Sequence, residues 1–91
     1  MITVSYFGQI KQAAGIPTES VALGDSNCIG SFLRDLNVVH GPDFRAHIEN
    51  HDGGFSRVLL VFVDGRQILE WSDAPLLDGA NLQLVTPISG G

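Results

Sequence analysis

The chain has a single cysteine, which excludes an intrachain disulfide framework and a cysteine-rich zinc module. Cations are scarce: 5 Lys+Arg stand against 10 Asp+Glu, a formal charge of -5. That balance disfavours nucleic acid, whose phosphates require a basic face, and an anionic membrane surface. No apolar stretch approaches the ~20 residues of a membrane span. The start, Met1-Ile2-Thr3-Val4-Ser5, lacks the basic and long apolar segments of a signal peptide. A phosphate-cradling glycine loop, a Ser/His/Asp pattern and a nucleophile motif are all missing. These absences predict a cytoplasmic protein with no catalytic constellation of its own.

What is present suits one small folded domain. The 91 residues are 44% hydrophobic, the fraction of an ordinary globular chain. At this length folding buries roughly 60–65% of the unfolded surface, enough for one compact layer pair and no second core.

Ile2, Val4 and Tyr6 alternate with Thr3 and Ser5, the period-2 pattern of a half-buried strand. Phe7 is read as breaking that alternation at the strand end. Residues 8–15 have weak helical character, and residues 18–23 form a second strand candidate in a hairpin with the first. Asp25-Ser26-Asn27 supplies N-cap candidates for the best helix, with Ile29, Phe32, Leu33 and Leu36 at helical spacing. It ends near Gly41-Pro42, where a second helix is expected to run to about Asn50 with Phe44 and Ile48 on one face. The apolar run of residues 58–63 reads as a central strand, closed by Asp64-Gly65 and returned by residues 66–68. Residues 81–85 alternate again as the last strand. Strand, strand, helix, strand, short strand, strand satisfies the two-layer rule for an α+β domain, one mixed sheet on one main helix.

The most informative feature is the ending Ser89-Gly90-Gly91. Average glycine usage of about 7% gives a terminal Gly-Gly by chance in roughly 0.5% of chains. Here the pair follows directly on a last strand. With the opening Ile2-Thr3-Val4-Ser5-Tyr6-Phe7-Gly8, the turn Val61-Phe62-Val63-Asp64-Gly65-Arg66, the loop Leu77-Asp78-Gly79 and the ending from Leu84 to Gly91, the sequence resembles the MoaD/ThiS family of ubiquitin-like sulfur carriers. The segment from His40 to Ser56 makes it more similar to the small subunit of molybdopterin synthase, or to the carrier serving cysteine synthesis, than to the shorter thiamine-pathway carriers. Thr86 departs from the proline pair that molybdopterin carriers often have before the tail.

The resemblance implies a ubiquitin-like β-grasp over residues 1–85, with the first and last strands adjacent and parallel, and a flexible C-terminal tail over residues 86–91. It also implies a mechanism. A ubiquitin-activating-type adenylating enzyme spends ATP to adenylate the carboxylate of Gly91. A sulfur donor then displaces AMP to leave a thiocarboxylate, and a sulfur-accepting synthase takes the sulfur. The chain itself would be a co-substrate rather than an enzyme, with no bound cofactor and no metal. Pro87, Ile88, Ser89 and Gly90 would enter the partner's active site. Glycine, lacking Cβ, fits a narrow channel, and Pro87 stiffens the base by fixing φ. Two other readings remain open: a ubiquitin-like modifier forming isopeptide bonds, and a small non-covalent interaction domain.

A carrier must also dock. Gln83 marks its face of the last strand as the wet one, so Val85 is expected to be exposed at the base of the tail. If Val61 and Val63 point to the core, Leu60 and Phe62 point out, and with Val85 and Ile88 they form an apolar docking patch. The alternative is that the chain's own loop covers Leu60 and Phe62. Acidic charges would either steer the chain to a basic partner or only solubilise it. His47 and His51 share a spacing but lack further metal ligands. Cys28 reads as a small buried hydrophobe, and Trp71 as a cap on the core.

Overall fold

The structure is a computed structural model and describes residues 1–87. Alternation places Ile2, Val4 and Tyr6 of strand β1 (Ile2–Phe7) and Leu82 and Leu84 of strand β5 (Asn81–Val85) in the core. These two strands pair in parallel, Thr3 opposite Asn81 through Phe7 opposite Val85. Strand β2 (Thr18–Val21) adds antiparallel to β1, strand β3 (Leu60–Val63) antiparallel to β5, and strand β4 (Arg66–Gln67) antiparallel to β3. The five-stranded order is β2-β1-β5-β3-β4, so the expected parallel pairing of first and last strands is present at the centre.

The apolar run of residues 58–63 differs from expectation in two ways. Val58 is exposed and precedes the strand, and β3 lies one place from the sheet edge rather than at the centre. A continuous apolar run normally marks a strand covered on both faces. Here only Leu59 and Val61 are buried, and Leu60 between them faces out. The hairpin after β3 is as tight as predicted: Asp64 and Gly65 both have positive φ, 51° and 84°, as a primed two-residue turn requires.

One face of the sheet packs on helix α2 (Ile29–His40) through Ile29, Phe32, Leu33 and Leu36, and on helix α3 (Pro42–Ile48) through Phe44 and Ile48. Each such side chain contributes roughly 1.5–3 kcal/mol on burial. The N-cap expected among Asp25, Ser26 and Asn27 is instead Cys28, which makes no side-chain cap. The N–H groups of Ile29 and Gly30 donate to the carbonyls of Ala74 and Ser72, each at 2.9 Å, so a neighbouring loop satisfies the orphan donors of the first turn. Ser26 instead holds Asp35, its hydroxyl donating at 2.9 Å.

Helix α3 stops at Ile48 rather than Asn50 because Glu49 turns extended and bridges Phe55. The Glu49 carboxylate accepts from Arg34 at 2.6 Å and from Asn37 and Arg45 at 2.9 Å. A short helix α1 (Gln9–Ala14) follows β1. Among the described residues no helix is long and apolar enough to cross a membrane.

Candidate functional site: the open sheet face and the base of the tail

The helices cover one face of the sheet, and pairing register identifies what the other presents. Outward positions are Thr3, Ser5 and Phe7 on β1, Thr18 and Ser20 on β2, Leu60 and Phe62 on β3, Gln67 on β4, and Asn81, Gln83 and Val85 on β5. All are exposed or half-buried, and none is charged. Phe7, Val85 and Leu60 stand opposite one another in a single row across the three inner strands. Phe7 is 44% exposed and Leu60 42%, whereas Val61 between the outward pair Leu60 and Phe62 is 1% exposed. Phe62 pairs with Gln83 in the next row down.

The three residues singled out for docking, Leu60, Phe62 and Val85, therefore lie together on the outward face. Phe7 belongs with them and was absent from the expected patch. The signal for it was parity: Phe7 follows Thr3 and Ser5 on the outward side, so it continues the alternation rather than breaking it.

At the end of β5 the chain is anchored against α1. Thr86 is 4% exposed. Its N–H donates to the Phe7 carbonyl at 2.9 Å, and its Oγ1 accepts the Ile10 N–H at 2.9 Å. The Pro87 carbonyl accepts the Gln9 N–H at 3.4 Å. Gly8, at the cap position of α1, offers no side chain. The strand's continuation thus supplies the acceptors that a Ser or Asp cap would otherwise provide. A Cβ on Gly8 would stand 1.8 Å from the Thr86 carbonyl oxygen, and its φ is 87°, so only glycine permits this approach. Thr86, notable in the sequence only as a departure from a proline pair, is the residue that ties β5 to α1. The residues expected to react or to enter a partner, Ile88, Ser89, Gly90 and Gly91, lie outside the described residues.

The remaining polar clusters are structural in geometry. Tyr6 donates its hydroxyl to Glu19 at 2.5 Å, and His40 Nε2 donates to the same oxygen at 2.5 Å. The His40 ring stacks on Phe44 at 4.5 Å between centroids. Burial, reinforced by the Glu19 hydrogen bond, holds the Tyr6 phenol above its ordinary pKa. Cys28 is half-buried, and the hydrogen bond to Ser31 holds its thiol below the usual value. Trp71 is buried and packs on Phe55, with ring centroids 4.6 Å apart. Among the described residues no three His, Cys, Asp or Glu side chains come together as a metal site.

A helix laid across a mixed sheet, with parallel first and last strands at its centre, is the ubiquitin-like β-grasp. Solved structures agree. SAMP1 from Haloferax volcanii superposes with a TM-score of 0.82 at 24% identity, over 99% of this chain and 98% of that one. The Amycolatopsis orientalis BexX/CysO complex contains a chain matching at 0.77 and 17% identity, with complete coverage of both. A putative molybdopterin converting factor subunit 1 from Pyrococcus furiosus matches at 0.71 and 21% identity, over 96% and 97%. No curated protein sequence matches. The model of the ThiS family matches residues 4–91, and the chain belongs to that family of small ubiquitin-like carriers and modifiers.

Proposed function

We propose that this protein is a sulfur carrier that acts as a co-substrate for partner enzymes in the cytoplasm. A ubiquitin-activating-type enzyme joins the Gly91 carboxylate to the α-phosphorus of ATP, with pyrophosphate as leaving group. A hydrosulfide equivalent from a sulfur donor then attacks the acyl carbon and AMP departs, leaving the thiocarboxylate. A synthase, as a large subunit or a separate enzyme, accepts the sulfur. The chain supplies the reacting carboxylate and a docking face, and its partners supply the acid–base chemistry.

The observation that carries this reading is the family match, which runs to Gly91 itself. The uncharged face with Phe7, Leu60, Phe62 and Val85 supports docking, because interface centres are depleted in charge and enriched in aromatics. Molybdopterin is our first choice of product, followed by cysteine, thiamine and secondary metabolites. Similarity to a molybdopterin converting factor subunit and to a chain of a CysO complex supports a synthase partner.

A second reading, as a protein modifier, draws support from the likeness to small archaeal modifier proteins. Incubation with ATP, the adenylating enzyme and a sulfur donor separates the two. The carrier reading expects an oxygen-to-sulfur mass change localised to Gly91. Isopeptide conjugates without that change favour the modifier. A chain extended by one residue beyond Gly91 is expected to lose both activities; a function that survives the extension intact would favour the non-covalent reading.

A further inference from the structure

We propose that Lys11 is an internal acceptor for the chain's own activated end: when sulfur does not arrive, its ε-amine takes the Gly91 acyl group and closes the protein into a lariat through an isopeptide bond. This rests on the adenylation of Gly91 proposed above and gives the adenylate a second fate.

The sequence holds two primary amines, the Met1 α-amine and the ε-amine of Lys11, its one lysine. They stand at opposite ends of the fold. Met1 precedes β1, its amine pairs with Asp78, and its carbonyl accepts the Gly79 N–H at 3.0 Å. Strand β1 runs for six residues, which separates its two ends by about 20 Å. Phe7, at the other end, stands opposite Val85, where the chain leaves β5 towards the tail.

Lys11 belongs to the tail end. Helix α1 is tied to the base of the tail by consecutive bonds: the Gln9 N–H donates to the Pro87 carbonyl at 3.4 Å and the Ile10 N–H to Thr86 Oγ1 at 2.9 Å. Lys11 is the next residue, and its own N–H donates to the Gly8 carbonyl at 3.1 Å. From Gln9, helical geometry puts the Lys11 Cα within about 10 Å of the Pro87 carbonyl oxygen. The residues from Ile88 to Gly91 span up to about 14 Å when extended. The terminal carbonyl therefore covers the distance before the flexible lysine stem is counted. Lys11 is exposed, and among the described residues it joins no ion pair that would hold the amine elsewhere.

The step needs no reagent beyond those of the carrier reaction. The unprotonated amine attacks the acyl carbon of the Gly91 adenylate and a C–N bond forms. The bond from that carbon to the phosphate oxygen breaks, AMP leaves with the electron pair, and the surplus amine proton passes to water. Hydrosulfide from the sulfur donor attacks the same carbon, so donor and Lys11 compete for one electrophile. An adenylating enzyme that holds the tail in its channel keeps the amine away. An adenylated end that withdraws before sulfur arrives meets Lys11 at an effective concentration on the order of mM. Closure then removes the chain from sulfur transport when donor is scarce.

Incubation of the full chain with ATP and the source organism's adenylating enzyme, without sulfur donor, tests this by intact mass and peptide sequencing. The expected product is lighter than the free chain by one water and yields a Lys11–Gly91 cross-link on digestion. At µM protein it is expected to exceed linked dimers by roughly 10²–10³-fold, and that ratio to rise on dilution. Lys11→Arg keeps the charge and removes the acceptor; it is expected to lose the closed product and to load with sulfur as the wild type does once donor is added. Arg66→Lys in that background restores an exposed amine at the far hairpin, opposite Val63, and is expected not to restore closure. Donor added to the wild type is expected to suppress closure. Closure that persists in Lys11→Arg, a link to Met1 instead, or linked dimers alone overturns the proposal. Pyrophosphate release reads adenylation separately: release without a Lys11 link sinks this proposal only, whereas no release sinks the carrier reading with it.

Discussion

The hydroxyl of Thr86 accepts the backbone N–H of Ile10 at 2.9 Å, in a buried contact spanning nearly the whole sequence. It makes the first turn of α1 and the end of β5 a single unit. The direction in which the chain leaves the sheet is thereby set by the start of a helix, not by the strand alone.

Thr86→Val keeps the shape and removes the acceptor. The Ile10 N–H then stays buried without a partner, a loss of about 1–3 kcal/mol. For a domain of this size that lowers the melting temperature by roughly 4–8 °C per kcal/mol. Thr86→Ser restores the acceptor and is expected to recover most of the loss. Thermal melting, with hydrogen exchange at the Ile10 amide, checks both; faster exchange in the Val variant but not in Ser is the specific sign.

Phe62→Asp and Val61→Asp are one residue apart in sequence and on opposite sides of the sheet. Val61 is 1% exposed, so a carboxylate there is buried without a partner and the domain is expected to unfold. At Phe62 the charge meets water on the open face, so a folded protein is expected, with partner affinity reduced by about 2 kcal/mol or more, roughly thirtyfold. Calorimetric binding and circular dichroism on both variants decide between a docking role and a purely structural one for Phe62.

The sequence made the architecture legible where one physical rule governed the outcome. Alternation placed Ile2, Val4, Leu82 and Leu84 inside, and helical spacing did the same for Ile29, Phe32, Leu33 and Leu36. Positive φ at Asp64-Gly65 is local turn chemistry and was equally visible. What escaped depended on contacts between distant segments. The carbonyls of Ser72 and Ala74 displaced the expected side-chain cap of α2, and Thr86 capped α1 from the other end of the chain. No window of local sequence contains either pair. The outward apolar cluster is partly legible, because the parity of Leu60, Phe62 and Val85 follows from period 2, whereas the apolar character of Phe7 hides that it continues the same alternation.

Tyr6 is the chain's one tyrosine, so near-ultraviolet phenolate absorbance reports on it alone. Its pKa in the fold is raised, first by burial and then by the Glu19 hydrogen bond. A raised folded pKa means that its contribution to stability is fully present below the unfolded value of about 10 and is lost as pH rises beyond it. Phenolate absorbance is therefore expected only together with unfolding, above pH ~10, with stability falling by up to about 1.4 kcal/mol per pH unit there. Tyr6→Phe removes this alkaline slope. A folded protein titrating with an ordinary phenol near pH 10 would contradict the burial and the Glu19 bond.

Gly8→Ala tests whether the base of the tail must sit where it does. The new Cβ would lie 1.8 Å from the Thr86 carbonyl oxygen, backbone against backbone, so no side-chain rotation relieves the clash. A positive φ of 87° adds strain of about 1–3 kcal/mol for a residue with a side chain. Either α1 or residues 86–87 must move. If α1 yields, stability falls and sulfur loading at saturating partner follows the folded fraction. If residues 86–87 yield, the carrier proposed above is expected to lose more loading than unfolding explains, because the base from which it would present Gly91 is displaced. Comparison with Gly15→Ala separates strain from clash: Gly15 also has positive φ, 79°, but a Cβ there would meet nothing within 4 Å. Gly15→Ala is expected to lose stability alone, and Gly8→Ala to lose stability and loading disproportionately, measured by melting temperature and by the thiocarboxylate fraction in the intact mass spectrum.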